Sequence, residues 1–538
     1  MPDSLNKIIS TLISLFLIFS VVSFSSSNVF ATDIFLASRD GYIDDVKMLI
    51  KSGTDINQID RIGKTPLMYA CSQGQTEIVH LLLKRKANMR IKDNSGNTAL
   101  MYACLAGQAE VVKLLIKYKD SLNDTNNSGA TPLILATLND YAQIVEILIS
   151  KKVDLDVKDK RGYTALMYAA INSRLNIVKL LVENKASIDM ENNYNMTAFF
   201  LAARSGNLEV VKYLALKGAD INKRNINGIN PLIACSALGN LETVQYLVDT
   251  LGIDVNSKDN NGNNALMASV AFMYADIIKS LVDQINELLT EDDSEKFSYI
   301  KNAKAHCKDI TEYLISKGAY INNANNNGYN TFMVAIAEND IDMASFLISK
   351  GANINQMDKN GNNALLLSAG ISNMNAFSFL VNAVGMDINI ANNDGKTPLM
   401  FAIENGNFDM INLLMSRNDI NVKKSDKDGK SALMYAAEAG YIKVIKDLIN
   451  KKADINDIDI KGNTPLMYAV YAGNLGVIES LIDLKADISI KNKEGMTAQD
   501  IAKLYTDNAN YVEIDKYFQH LQNPKQKSSS KKKKKSKK

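Results

Sequence analysis

A glycine recurs along this chain at steps of 33 or 34 residues, and that period limits the fold more than any other feature. The series runs Gly63, Gly96, Gly129, Gly162, Gly228, Gly262, Gly328, Gly361, Gly395, Gly429, Gly462 and Gly495, with two steps of 66. In the first long step Asn195 falls on the missing place. Asn is the residue that best replaces Gly where φ must be positive. In the second, Glu295 falls on it within a degraded segment, yet Ile310, Leu314, Ile315 and Ala319 keep the apolar pattern in register. A fixed period of this length marks supersecondary units that stack on one another and cannot bury their apolar faces alone. Length alone, 538 residues, would suggest three or four domains at about 150 residues each. The periodicity overrides that division, because a stack has no fixed length.

The chemistry inside one period reads as turn, helix, turn, helix. Asp or Asn three places before the Gly makes a tight turn, with Gly in the left-handed region. Thr65, Thr131, Thr397 and Thr464 then cap a helix, and the Pro after each sits at the first helical position. A short apolar helix follows, carrying Leu67, Ala70 and Cys71 in one copy and Leu433, Ala436 and Ala437 in another. A second helix places Ile78, Val79, Leu82 and Leu83 on one face, one turn apart.

These copies, with Thr65-Pro66-Leu67-Met68-Tyr69-Ala70 as the fullest, resemble the ankyrin repeat family, whose consensus is roughly D-x-x-G-x-T-P-L-H-x-A-A, a second helix and G-A-x-x-N. The resemblance covers residues 33–522 in about 15 units, including atypical first and last ones. It implies an all-α fold: an ankyrin-repeat solenoid of stacked helix-turn-helix units with β-turn or hairpin tips. It also implies a non-catalytic protein-interaction scaffold that uses a concave surface. One departure recurs. Where the family has His after Leu, this chain has Met68, Met101, Met167, Met267, Met333, Met400, Met434 and Met467. In the family that His links neighbouring turns. A thioether cannot donate a hydrogen bond, so these units are expected to rely more on packing.

Little of the chain suits catalysis or metal binding. The histidines are His80, His306 and His520, and none sits in a metalloprotease or nucleophile motif. Cys71, Cys104, Cys235 and Cys307 show no zinc spacing. Cys71 and Cys104 hold the same place in neighbouring units, roughly 10 Å apart for packed helices, too far for a disulfide. All four are read as small buried hydrophobes. Glu291, Asp292, Asp293 and Glu295 cluster without EF-hand alternation and read as a solvated loop. The expectation is no catalytic residues, no cofactor and no metal.

Partners of ankyrin proteins usually meet the turn tips and the exposed end of the first helix, which correspond here to the −2, −1, +1, +9 and +10 positions around each marker Gly. Those positions are richest in aromatic residues, Arg and large apolar side chains at Arg161, Tyr163, Ile171, Tyr194, Met196, Arg204, Ile226, Ile229, Leu238 and Phe272. Such residue types dominate interface hot spots, so this stretch is the expected contact patch. The competing reading is that the apolar members only seal adjacent repeats.

The two ends differ from the body. Residues 1–31 have a polar start ending in Lys7, an apolar run from Ile8 to Phe24, and Val29-Phe30-Ala31. That is the pattern of a signal peptide cut after Ala31, with an uncleaved membrane anchor as the alternative. The chain is then exported, periplasmic or secreted. Residues 525–538 contain nine lysines and no acid, so the formal net charge of +2 leaves about −7 for the rest. This Lys-rich tail, including Lys531, Lys532, Lys533, Lys534, Lys535, Lys537 and Lys538, gives a second hypothesis: a tether to anionic lipid, polysaccharide or nucleic acid. It lacks aromatics for stacking on bases, which argues against sequence-specific nucleic-acid recognition. The expected layout is a signal peptide at 1–31, an N-terminal capping repeat at 32–60 and repeats at 61–492, with a degenerate unit near 293–325. A C-terminal capping repeat at 493–522 and a disordered tail at 523–538 complete a monomer with protein partners.

Overall fold

A computed structural model describes residues 33–118, 122–271, 307–505 and 507–522. The signal segment, Phe272, Glu295 and the Lys-rich tail lie outside the described residues. The chain divides into two compact units, Met1–Asn193 and Tyr194–Lys538. Among the described residues both units are helical throughout, and the single β feature is an isolated antiparallel bridge between Ser425 and Ser431.

The first unit stacks five helix pairs, from Ile34–Asp40 with Ile43–Lys51 to Ala165–Ile171 with Leu175–Glu183. Among the described residues the second stacks nine, from Ala198–Arg204 with Leu208–Leu216 to Ala498–Lys503 with Ala509–Gln522. In each pair the first helix is one or two turns long and almost wholly buried, as in Ala99–Leu105, where Ala99, Leu100, Met101, Ala103 and Cys104 lie in the core. The second helix buries only one stripe, such as Ile78, Val79, Leu82 and Leu83 in Thr76–Lys84. A first helix therefore sits between its neighbours on both sides, while a second helix keeps a wet face.

The loops stack as regularly as the helices. Asn94 donates its backbone N–H to the carbonyl of Ile62 at 3.0 Å, Asn127 to Ser95 at 2.9 Å, and Lys160 to Ser128 at 3.0 Å. The second unit repeats the bond, from Lys359 to Asn327 at 3.0 Å down to Lys493 to Lys461 at 2.8 Å. Gly63 shows why the marker is glycine. Its φ is 81°, and a Cβ there would lie 2.8 Å from the Asn94 backbone nitrogen. Asn195 takes its place at φ 57° as expected.

The same bond corrects the reading of the second long step. Asn326 donates to the carbonyl of Asn261 at 2.8 Å, and the Asn325 side chain donates to Asn263 at 2.9 Å. The Gly262 loop and the Gly328 loop are therefore immediate neighbours, and no degenerate unit near 293–325 stands between them. The first helix Ala265–Val270 is paired with helical residues 307–316, joined by a hydroxyl–hydroxyl bond between Ser269 and Thr311 at 2.8 Å. Ile310 and Leu314 belong to the second helix of that repeat and are fully buried. The period misled because residues 272–306 happen to be about one repeat long.

No disulfide joins the four cysteines. Cys71, Cys104 and Cys235 are buried as expected, and burial pushes the Cys235 thiol well above its ordinary range. Cys307 is only partly buried.

Candidate functional site

Among the described residues five first helices carry a tyrosine six residues after the marker Gly, and its hydroxyl reaches back to the Asp that opens the loop. In the first unit Tyr69 donates to Asp60 at 2.7 Å, Tyr102 to Asp93 at 2.5 Å and Tyr168 to Asp159 at 2.5 Å. In the second, Tyr435 donates to Asp426 at 2.7 Å and Tyr468 to Asp459 at 2.9 Å. Each Asp also receives backbone N–H groups of its own loop, as Asp93 does from Ser95 and Asn97. The tyrosine thus ties the helix to a loop the carboxylate has already ordered. Burial first, and then the facing Asp, push Tyr102, Tyr168, Tyr435 and Tyr468 far above the ordinary tyrosine range.

Lysines lie between successive rings. Lys64 sits 5.4 Å from the Tyr69 ring and 4.4 Å from Tyr102. Lys396 is 5.5 Å from both Phe401 and Tyr435, and pairs with Glu404 at 2.8 Å. Lys430 is 4.1 Å from Tyr435 and 4.7 Å from Tyr468, and pairs with Glu438. An ammonium over a ring face is attracted by the ring quadrupole. The result, over the last repeats of the second unit, is a groove of about 840 Å³ lined by Tyr435, Tyr468 and Tyr471 and by charged loop residues. It offers aromatic faces, carboxylates and backbone edges, which suit an extended or helical segment of a partner better than a reacting small molecule. Among the described residues no group of His, Cys, Asp and Glu is placed to hold a metal ion.

The residues expected to form the contact patch are placed differently. Tyr163 is buried and stacks on Tyr168 with ring centroids 5.3 Å apart. Met196, Arg204, Ile229 and Leu238 are also buried. These five present little surface. The Arg204 guanidinium lies 4.0 Å from the Met196 sulfur. Ile171 is half-buried, while Arg161, Tyr194 and Ile226 are exposed. Arg161 holds the Tyr168 hydroxyl at 3.0 Å and lies over the Tyr163 ring at 5.5 Å. Arg161, Tyr163 and Ile171 belong to the first unit, the later ones to the second, and Phe272 lies outside the described residues.

What the sequence reading missed is the +6 tyrosine. Its signal was present: Lys at +1, Tyr or Phe at +6 and Glu at +9 recur in Lys396, Phe401, Glu404 and again in Lys430, Tyr435, Glu438. Positions +6 and +9 stand three residues apart on one helix face, which sets the ring beside the glutamate.

A family model described as ankyrin repeats (3 copies) matches the chain in overlapping segments: 34–126, 86–159, 107–192, 133–225, 199–292, 286–358, 332–426 and 418–492. The chain matches no curated protein.

Proposed function

This chain belongs to the ankyrin-repeat family, and on that premise we propose that it is a non-catalytic scaffold whose loop-and-first-helix face binds protein partners outside the cytoplasm. Ankyrin repeats indicate protein–protein interaction. The observation that carries the finer reading is the ladder of Tyr–Asp pairs with lysines between the rings, which presents rigid aromatic and charged groups at a repeat spacing. Rigid aromatic side chains give large contact area at small entropic cost. Export is supported by the pattern of residues 1–31. Among the described residues no helix is long and apolar enough to cross a membrane.

The test is crosslinking of the mature protein in its own compartment with an amine-reactive reagent, read by mass spectrometry. Lys461 and Lys493 line the groove and are exposed. Lys443 and Lys446 are exposed on the second helix Ile442–Asn450, in the same region. Partner crosslinks concentrated on the first pair are the expected outcome. Partner crosslinks confined to the second pair would overturn the assignment of the face.

A further inference from the structure

We infer that the lysine-rich segment 525–538 docks in cis into the tyrosine-lined groove formed by residues 404–494 of the same chain. The groove already shows how it takes an ammonium group. At its first two steps a ring from each of two successive repeats flanks a lysine, and a glutamate nine residues after the marker Gly neutralises it: Lys396 with Glu404, then Lys430 with Glu438. At the third step Asn463 stands in the lysine's register and Tyr471 in the glutamate's. Tyr468 and Tyr471 remain, with rings 6.5 Å apart, and so do the carboxylates Asp459 and Glu494. That step keeps the rings and the negative charge and has no lysine of its own in the ladder.

Charge and reach both point to the same occupant. The groove is lined by the carboxylates Glu404, Asp426, Asp428, Glu438, Asp459 and Glu494 against the lysines Lys430, Lys461 and Lys493. Tyr471 is raised first by burial and then by the charge of Glu494. The segment supplies nine lysines and no acid. It leaves from helix Ala509–Gln522, which is fixed beside the groove: Tyr511 donates to the Tyr471 carbonyl at 2.7 Å, and Gln522 to Gln499 at 2.8 Å. From Gln522 to Lys531 an extended chain spans up to about 30 Å, and packed repeats lie roughly 10 Å apart. The lysine run can therefore reach the third step and the carboxylates beside it. A short tether holds it at an effective concentration on the order of millimolar, so individually weak ion pairs suffice. Docking of this kind needs no partner and stands apart from the partner reading, though a basic partner would have to displace it.

The experiment is zero-length carbodiimide coupling of the full chain, in an equal mixture of light and heavy isotope copies. Tail lysines should couple to Asp428, Glu438 and Glu494 about tenfold more than to the exposed second-helix carboxylates Glu312 and Glu479. The coupling should occur within one copy and collapse in molar salt, where the screening length is about 3 Å. A Glu438→Gln, Glu494→Gln variant changes two exposed side chains. Its circular dichroism should be unchanged while coupling to Asp428 falls. Equal coupling to Glu312 and Glu479, coupling only between light and heavy copies, or a variant that is folded yet couples to Asp428 as before would each overturn the inference.

Discussion

In three repeats a threonine and a methionine close the cap of the first helix from two sides, and only the threonine's part follows from the sequence. The threonine cap behaves as expected: Thr98 accepts from the Met101 N–H at 3.4 Å. The methionine does more than pack. Its sulfur accepts the N–H of the capping threonine, at 3.4 Å in Thr65–Met68 and Thr98–Met101 and 3.5 Å in Thr397–Met400. A thioether cannot donate, but as an acceptor it closes the cap from the other side, while backbone and Asn bonds link neighbouring loops. The Tyr–Asp bond predicts a pH response. Tyr69 is raised from 10.0 to about 12, by burial first and then by Asp60. Its neutral form is favoured by folding, so its contribution is complete below pH about 10 and lost as pH rises through about 12. Asp60 is held below its ordinary 3.8: burial pushes it up, but the bonds from Tyr69 and from the N–H groups of Lys64 and Ile62 outweigh that. Its contribution is present above the unfolded value and disappears as pH falls through the lowered one. Replacing Tyr69 with Phe should therefore raise the Asp60 pKa, as read by carboxyl carbon NMR. An unchanged titration would show that the bond does not form.

At the scale of one helix, the repeats that are 34 residues long had to place an extra residue. Two of them absorb it in the second helix. Leu241–Gln245 and Met374–Phe379 continue into π-helical turns at Tyr246–Thr250 and Leu380–Val384. A π turn widens the helix by one residue and leaves the flanking turns in register. The repeat from Gly395 to Gly429 instead ends its second helix at Ser416 and keeps the extra residue in the following loop, where the Ser425–Ser431 bridge forms. Deleting Asn382, which is exposed, should convert Leu380–Val384 into regular α-helix at a cost within about 1 kcal/mol. Deleting Lys179 from the regular helix Leu175–Glu183 shifts the buried stripe by 100° and should cost several-fold more. Thermal melts of the two variants compare them directly, and equal losses would contradict this account. The second-helix pattern itself was legible, because its apolar pairs follow a 3.6-residue period. Where the extra residue would go was not, because either solution preserves that pattern.

At the scale of a whole unit, stability is a sum over neighbouring repeats. Leu82 is fully buried in the stripe of Thr76–Lys84, and Leu82→Ala should cost roughly 2–5 kcal/mol. Hydrogen exchange should speed up in the flanking repeats of the first unit before distant ones, and uniform acceleration along the unit would refute nearest-neighbour coupling. The sequence by itself determined the repeat, its two helices, the capped turn and the all-α class, because each follows from local spacing that a single 33-residue copy already contains. Only the tertiary structure decided which loops are neighbours across residues 272–306, that Tyr163, Met196, Arg204, Ile229 and Leu238 face inward, and that lysine, tyrosine and glutamate from successive repeats converge on one groove. Those outcomes depend on how one copy sits on the next: the spacing within a copy carries the lysine, ring and glutamate, but the stacking decides that a lysine also meets the ring of the following copy.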